Sequence, residues 1–449
     1  MEKSIVQLII LSAQPNIYKP FAEETEDSCT GSGVIIDKNK LLLITNYHVI
    51  QQAKNISCRF SNSENMIPVQ LIAFNIERDL ALCQILASEE QKPPADVKQL
   101  KLAKDYPQMG DEVFVVGFPL GNDLKMTKGI ISGFQPDLTD VPGKTAVEAT
   151  FQIETSSPAN HGDSGGGLIN NKGEVVGIIN GGVPKANAVS YAIPSPIVLN
   201  ELDKMLIIFK NEKDFPIRVC PQFWSIFAQP LTDDIKRWLK QDEGILVTNV
   251  LEETLFPNIE IGDIITHIDN NKIKSPLMLE DNCYFKKYFQ ANDCQTLTVL
   301  RRGKKLILKA DNRNCKPILD TIDFYLQEPK YFIISGICFM VLTRNHIGEM
   351  IKSEDMRNVQ FLYECLEPQI FISYTFFDPV AQLKMDIINE VVYLINDKSP
   401  LKYLENKYKE NTITIITKSK RLIHLKVNKD LDKEIMDDYD LNTDYFPLL

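Results

Sequence analysis

The 449-residue sequence predicts a mainly β chain: a large all-β barrel or sandwich unit, then two smaller α+β units. Up to about residue 210, short β-branched runs such as GVIID, LLLITNYHVI, LALCQIL, EVFVVGFP and GEVVGII alternate with Gly, Pro, Asn and Asp clusters. Runs this short and regular read as strands and turns rather than helices. Polar NEKDFP (211–216) reads as a linker. Beyond it come weaker strand sets with one amphipathic stretch. At about 100 to 200 residues per domain, the length accommodates two to four such units.

The first unit is expected over 1–212, with acidic 23–27 as an exposed loop. The second, over 217–314, has strands at GILVTNV, DIITHID, TLTVLRR and KLILKA. Near 233–240, Ile235, Trp238 and Leu239 recur at i, i+3 and i+4, which predicts a helix burying that face. The third, over 326–427, repeats this order more weakly, with YFIISGICFMVLT as a buried strand, then QIFISYTF, NEVVYLIND with SPLKYL, TITIITK and RLIHLKV. Residues 428–449 hold seven Asp and Glu against two Lys and read as a solvated acidic tail.

With 49 basic and 60 acidic residues, the net charge of −11 argues against a nucleic-acid partner that needs a basic surface. Nine cysteines occur singly, without a CxxC or Cys/His cluster, as reduced thiols would. The uncharged run 331–343 has 13 residues, short of the roughly 20 needed to span a bilayer, so no membrane span is expected. Lys3 followed by IVQLIILSA resembles a leader weakly but leaves no spacer. The expectation is a reducing, cytoplasmic location, the alternatives being leaderless export or an organelle or nucleus reached by an unrecognised signal. No metal, nucleotide or flavin motif is present, and no cofactor is expected.

Only five histidines are available as a general base. His48 follows the apolar run from Leu41, Asp79 lies in RDLAL just before another apolar run, and Ser164 lies in NHGDSGGGLIN between a turn and a strand. Nucleophilic catalysis needs a hydroxyl, an imidazole to take its proton and a carboxylate to orient that imidazole. The order His, Asp, Ser along a β-rich domain is one solution. Glycines around Ser164 permit a tight turn that aims the N–H groups of Gly162 and Ser164 at one point, where an oxyanion would sit.

TGSGVIID (30–37), TNYHVI (45–50), RDLAL (78–82), VGFPLGND (116–123), TKGIIS (127–132), NHGDSGGGLINNKGEVVGI (160–178) and SYAIP (190–194) occur in the order found in the Deg/HtrA serine proteases, which this chain resembles. The resemblance implies a trypsin-like double β-barrel protease domain followed by two PDZ-like domains, the second most similar to that of plant-type Deg proteases. It implies His48 as general base, Asp79 as its partner, Ser164 as nucleophile, and an oxyanion hole from Gly162, Asp163 and Ser164. Asp163 stands where the family usually has Asn, and is expected to contribute backbone more than side chain. His161 replaces a small residue or Pro. Pro158, Ala159 and Ile178, Ile179 and Asn180 are the expected walls of a pocket for an apolar residue. The PDZ carboxylate loop falls on Trp224, Ser225 and Ile226, where the family has Gly between apolar residues. Substrates would be protein or peptide, and assembly a trimer or a multiple of trimers, with Tyr18 and Phe21 as contacts. The other reading is a silent protease fold kept as a scaffold or holdase.

Overall fold

The computed structural model describes the chain except residues 1–2, 15, 24, 62, 137–149, 183–188, 221–225, 251–253, 274–292, 312–330, 354, 356–357, 359–367, 377–386, 406–409 and 440–449. The chain forms two compact units. Met1–Ser12 with Asp27–Lys316 make the first, and Ala13–Glu26 with Pro317–Leu449 the second.

The first unit opens with β1 (Ile5–Gln14), β2 (Thr25–Asp37), β3 (Leu42–Thr45), the one-turn helix α1 (Tyr47–Ile50), β4 (Ala53–Phe60), β5 (Ile67–Asn75) and β6 (Leu80–Ile85). Pairing in the order β5, β4, β1, β2, β3, β6 and back to β5 closes a barrel. A second closed barrel comprises β7 (Glu112–Gly117), β8 (Lys125–Pro136), β9 (Phe151–Thr155), β10 (Gly167–Asn170), β11 (Val175–Gly182) and β12 (Ser190–Pro194). Largely apolar stretches such as Leu42–Thr45, buried at every position, are strands covered on both faces. Val34, Ile44 and Leu82 of the first barrel share one core with Val116, Phe151 and Ile178 of the second. A double β-barrel is thus what the alternating runs encode.

Helix α2 (Ser195–Asn211) packs Ile197, Val198, Leu202 and Met205 onto that shared core. The all-β reading passed over it, although LNELDKMLIIFK carries helix formers. The chain then adds β13 (Ile217–Arg218) parallel to β5, so the first residues past the expected linker belong to the first barrel's sheet. Next come β14 (Ile226–Pro230), α3 (Asp233–Leu239), β15 (Ile245–Val250), β16 (Ile264–Ile268), β17 (Asn271–Lys272), β18 (Thr296–Arg301) and β19 (Lys304–Lys309), the strands forming one sheet. Thr232 caps α3, but the predicted buried face fails: no α3 residue is buried, and Trp238 is 81% exposed. Its seven residues give two turns, too short for spacing alone to dictate burial.

In the second unit the run 331–343 is not one strand. It folds as a hairpin of β20 (Tyr331–Ile334) and β21 (Ile337–Val341), reversed at Ser335 and Gly336, both at positive φ. Helix α4 (Arg344–Lys352) and β22 (Ile370–Thr375) follow. Tyr331 and Ile333 enter one core while Phe332 and Ile334 enter another, so the sheet is covered on both sides and its run is uninterrupted. A second sheet holds β23 (Val392–Ile395), β24 (Thr412–Thr417) and β25 (Leu422–Lys426), with α5 (Pro400–Glu405) between the first two strands. The expected solvated tail starts instead as α6 (Lys429–Asp438), capped by Asn428, with Ile435 and Asp432 buried and Leu431 against the core. No helix among the described residues is long and apolar enough to cross a membrane.

Candidate active site

Three loops of the double barrel carry the predicted residues. β3 ends at Thr45, and α1 immediately turns His48 outward, its side chain 44% exposed while Tyr47, Val49 and Ile50 stay buried. Asp79 ends the tight β5–β6 turn at φ 53, a left-handed position open to Asp because its short side chain bonds locally. Ser164 sits, half-buried, between β9 and β10 of the other barrel.

Asp79 grips His48 twice. Its Oδ2 lies 2.7 Å from His48 Nδ1, and its Oδ1 accepts the His48 backbone N–H at 2.8 Å. With Nδ1–H donating to the carboxylate, Nε2 is the basic nitrogen. The turn is itself braced. Asn46 Nδ2 donates to Asp79 O at 3.0 Å, and Asn75 Oδ1 accepts the Arg78 N–H. Asn75 Nδ2 donates to buried Glu201 of α2, and Arg218 of β13 donates to buried Glu77 at 2.6 Å. A carboxylate without such bracing would lose alignment to thermal motion, at a cost in the geometry proton transfer needs.

The loop before β10 is shaped from its backbone. Gly162 has φ +97, and a Cβ there would lie 2.4 Å from Phe118 O; Gly165 has φ +82, and its Cβ would lie 2.0 Å from Ser32 O. Neither position admits another residue without displacing backbone. The His161 carbonyl accepts the Leu120 N–H at 2.6 Å, and the Gly162 carbonyl accepts Ser32 Oγ–H at 2.7 Å. Because a trans peptide's N–H opposes its C=O, the Gly162 N–H faces away from Leu120. The Asp163 N–H donates to Asn160 O and the Gly165 N–H to Ile179 O, whereas among the described residues no acceptor takes the N–H of Gly162 or Ser164. Two unspent donors therefore flank the hydroxyl, with one bonded amide between them.

Ser32 is the residue that motif reading passed over. It lies in TGSGVIID on β2; its N–H donates to Ser164 O at 2.8 Å, and its Oγ also accepts the Phe118 N–H. The first barrel thus holds the loop of the second. Asp163 also does more than supply backbone. Its side chain is buried, its Oδ2 accepts the Asn160 N–H at 2.8 Å, and Gly117 leaves the room it occupies. Burial raises its pKa to about 6, against the lowering influences of the Asn160 N–H and Lys125.

The expected pocket walls separate. Pro158 is exposed and Ala159 half-buried, but the side chains of Ile178 and Ile179 are wholly buried in two different cores, one on each face of β11. They shape the strand without lining an opening. Asn180 is half-buried, and its Oδ1 has no hydrogen-bond partner among the described residues. Ile226, also buried, begins β14, while Trp224 and Ser225 lie outside the described residues. Among the described residues no group of three His, Cys, Asp or Glu is arranged to hold a metal.

Residues 31–178 match the trypsin-like peptidase domain family. The Arabidopsis thaliana protein named protease Do-like 3, mitochondrial, is 24% identical over 95% of this chain and 78% of its own length. The HtrA-like serine protease of Staphylococcus aureus is 28% identical over 61% of this chain but only 36% of its own length. Among solved structures, the HtrA-type protease AlgW with tripeptide, 23% identical, superposes with a TM-score of 0.51 over 69% of this chain and 93% of that one. A shared fold alone would leave the chemistry open, but the peptidase-domain match and the sequence relatives converge on a serine endopeptidase that is similar to the Deg/HtrA proteases.

Proposed function

We propose that Ser164, His48 and Asp79 hydrolyse peptide bonds in unfolded or exposed protein segments, without ATP, in protein quality control or regulated proteolysis. The observation that carries this reading is the two-point grip of Asp79 on His48. In the proposed sequence, His48 Nε2 takes the Ser164 hydroxyl proton as Oγ attacks the scissile carbonyl. The resulting oxyanion accepts the N–H groups of Gly162 and Ser164, and His48 returns the proton to the leaving amine. An acyl-enzyme remains, and water activated by the same imidazole releases the acid.

Small Ala159 and the absence of an acidic side chain at Pro158 favour an apolar residue before the cleaved bond. The orphan Asn180 Oδ1 is a candidate acceptor for a substrate N–H. Assignment of 1–212 to the protease domain and of 217–314 and 326–427 to PDZ-like domains, assembly into trimers, capture of chain ends beside Ile226 and a cytoplasmic location belong to the same proposal. Cleavage of an unfolded protein such as casein tests it. Wild type should cut and Ser164→Ala should not; retained cleavage by the variant would remove the assignment.

A further inference from the structure

The loop between β1 and β2 is foreign to the barrel that its flanking strands build. Residues Ala13–Glu26 belong to the second compact unit, although Met1–Ser12 and Asp27 onward belong to the first. Tyr18 and Phe21, expected as contacts between copies, are packed against the second unit's core of Tyr331, Phe371 and Phe376. Within one chain both rings are thus engaged.

The contacts have the form of a ligand in a site. Phe21 stacks on Phe376 at 4.7 Å between centroids and meets Tyr331, Tyr374 and Tyr439 at 5.1 to 5.9 Å. Tyr18 stands edge-on to His346 at 5.6 Å, its hydroxyl donating to His346 O, and Lys19 Nζ lies 4.3 Å from the Tyr374 ring centroid. Aromatic pairs of this kind contribute about 0.5 to 1.5 kcal/mol each beyond their burial.

His346 supplies specificity. It is fully buried at the start of α4, and the Thr343 backbone N–H, which can only donate, points at its Nδ1. Nδ1 is therefore the acceptor, Nε2 carries the hydrogen, and Nε2–H donates to Ile17 O at 2.9 Å. One sealed ring thus reads one backbone carbonyl, just ahead of Tyr18. The segment is also shaped before it docks. Asn16 Oδ1 accepts the N–H groups of Tyr18 and Lys19, and Ala22 N–H donates to Lys19 O. Such local turns cut the ordering cost of binding.

We propose that the second unit carries a peptide-recognition site for a Tyr-x-x-Phe segment whose preceding carbonyl is read by His346, and that the chain's own β1–β2 loop is its resident ligand. It is separate from the carboxylate-binding loop expected at 224–226. An internal ligand competes at an effective concentration near millimolar, so outside peptides reach the site only when the loop leaves it.

A fluorescent, end-blocked peptide of residues 16–21 (NIYKPF) tests this on the full-length chain. The Tyr18→Ala/Phe21→Ala variant should bind it saturably, at least about 100-fold tighter than wild type, and a peptide with both aromatics replaced by Ala should not bind. A folded variant that does not bind, or equal binding by variant and wild type, would overturn the proposal. So would a wild-type dimer that the peptide splits, since the loop would then serve a second copy. Should the double variant fail to fold, Phe21→Leu is read by chymotrypsin at the Tyr18–Lys19 bond: cleavage at least tenfold faster than in wild type supports the clasp, and an unchanged rate rejects it.

Discussion

His48 and His346 carry the same ring into opposite surroundings. His48 sits on a one-turn helix, 44% exposed, with a carboxylate on Nδ1, so a positive charge on the ring has a partner and access to solvent. His346 is sealed among Tyr18 and Phe371, accepts on Nδ1 and donates on Nε2, so a proton arriving there would break a bond and bury a charge. Desolvation pushes its pKa down to about 4, the Ile17 carbonyl opposing this. On the proposed roles, exposure and the choice of neighbour, not the side chain, would decide which histidine moves protons and which one reads a peptide.

The sharpest way to break the comparison is to remove what makes His48 different. Asp79→Asn should leave the fold intact by circular dichroism and lower kcat by about 10⁴-fold, the size seen when an orienting carboxylate is lost in a Ser-His-Asp triad. A loss under tenfold would mean that the grip on His48 is structural. Next in size is the oxyanion loop. Gly162→Ala forces a Cβ against Phe118 O, and should cost about 100- to 1,000-fold in kcat with little change in KM.

The sealed histidine predicts an effect on stability instead. Its folded pKa lies below the unfolded value of 6.5, so its contribution is present above pH 6.5 and is lost as pH falls toward 4. The loss should reach about 3 kcal/mol, read as faster hydrogen exchange in α4 and in residues 16–21. His346→Gln, which can still donate, should flatten that dependence. Asp163 runs the other way. Its folded pKa is raised to about 6, so its contribution is present below the unfolded value and is lost as pH rises through 6. Asp163→Asn should therefore be more stable than wild type at pH 8, by about 3 kcal/mol, and equally stable at pH 4. An equal shift at both pH values would assign the effect to packing.

Local chemistry was readable in the sequence, and distant partnerships were not. Short β-branched runs and turn residues marked the barrels, His48 and Asp79 stood in motifs beside apolar runs, and the glycines around Ser164 announced its turn. Helix α6 was also within reach, since Asn428 caps it and Leu431 and Ile435 lie four apart on its buried side; the acidic count masked that signal. Trp238 shows the converse, helical spacing without a surface to bury it. Ser32 holding Gly162, and Phe21 docking among residues more than 300 positions away, depend on which loops the fold brings together. No local pattern encodes that.

Covalent labelling tests the central claim most directly. A fluorophosphonate reacts only with a serine made nucleophilic by its base and stabilised by oxyanion donors. Mass spectrometry of the labelled wild type should find one adduct, on Ser164, absent from Ser164→Ala and reduced by several orders of magnitude in Asp79→Asn. An adduct on another residue, or none under any activating condition, would contradict the account.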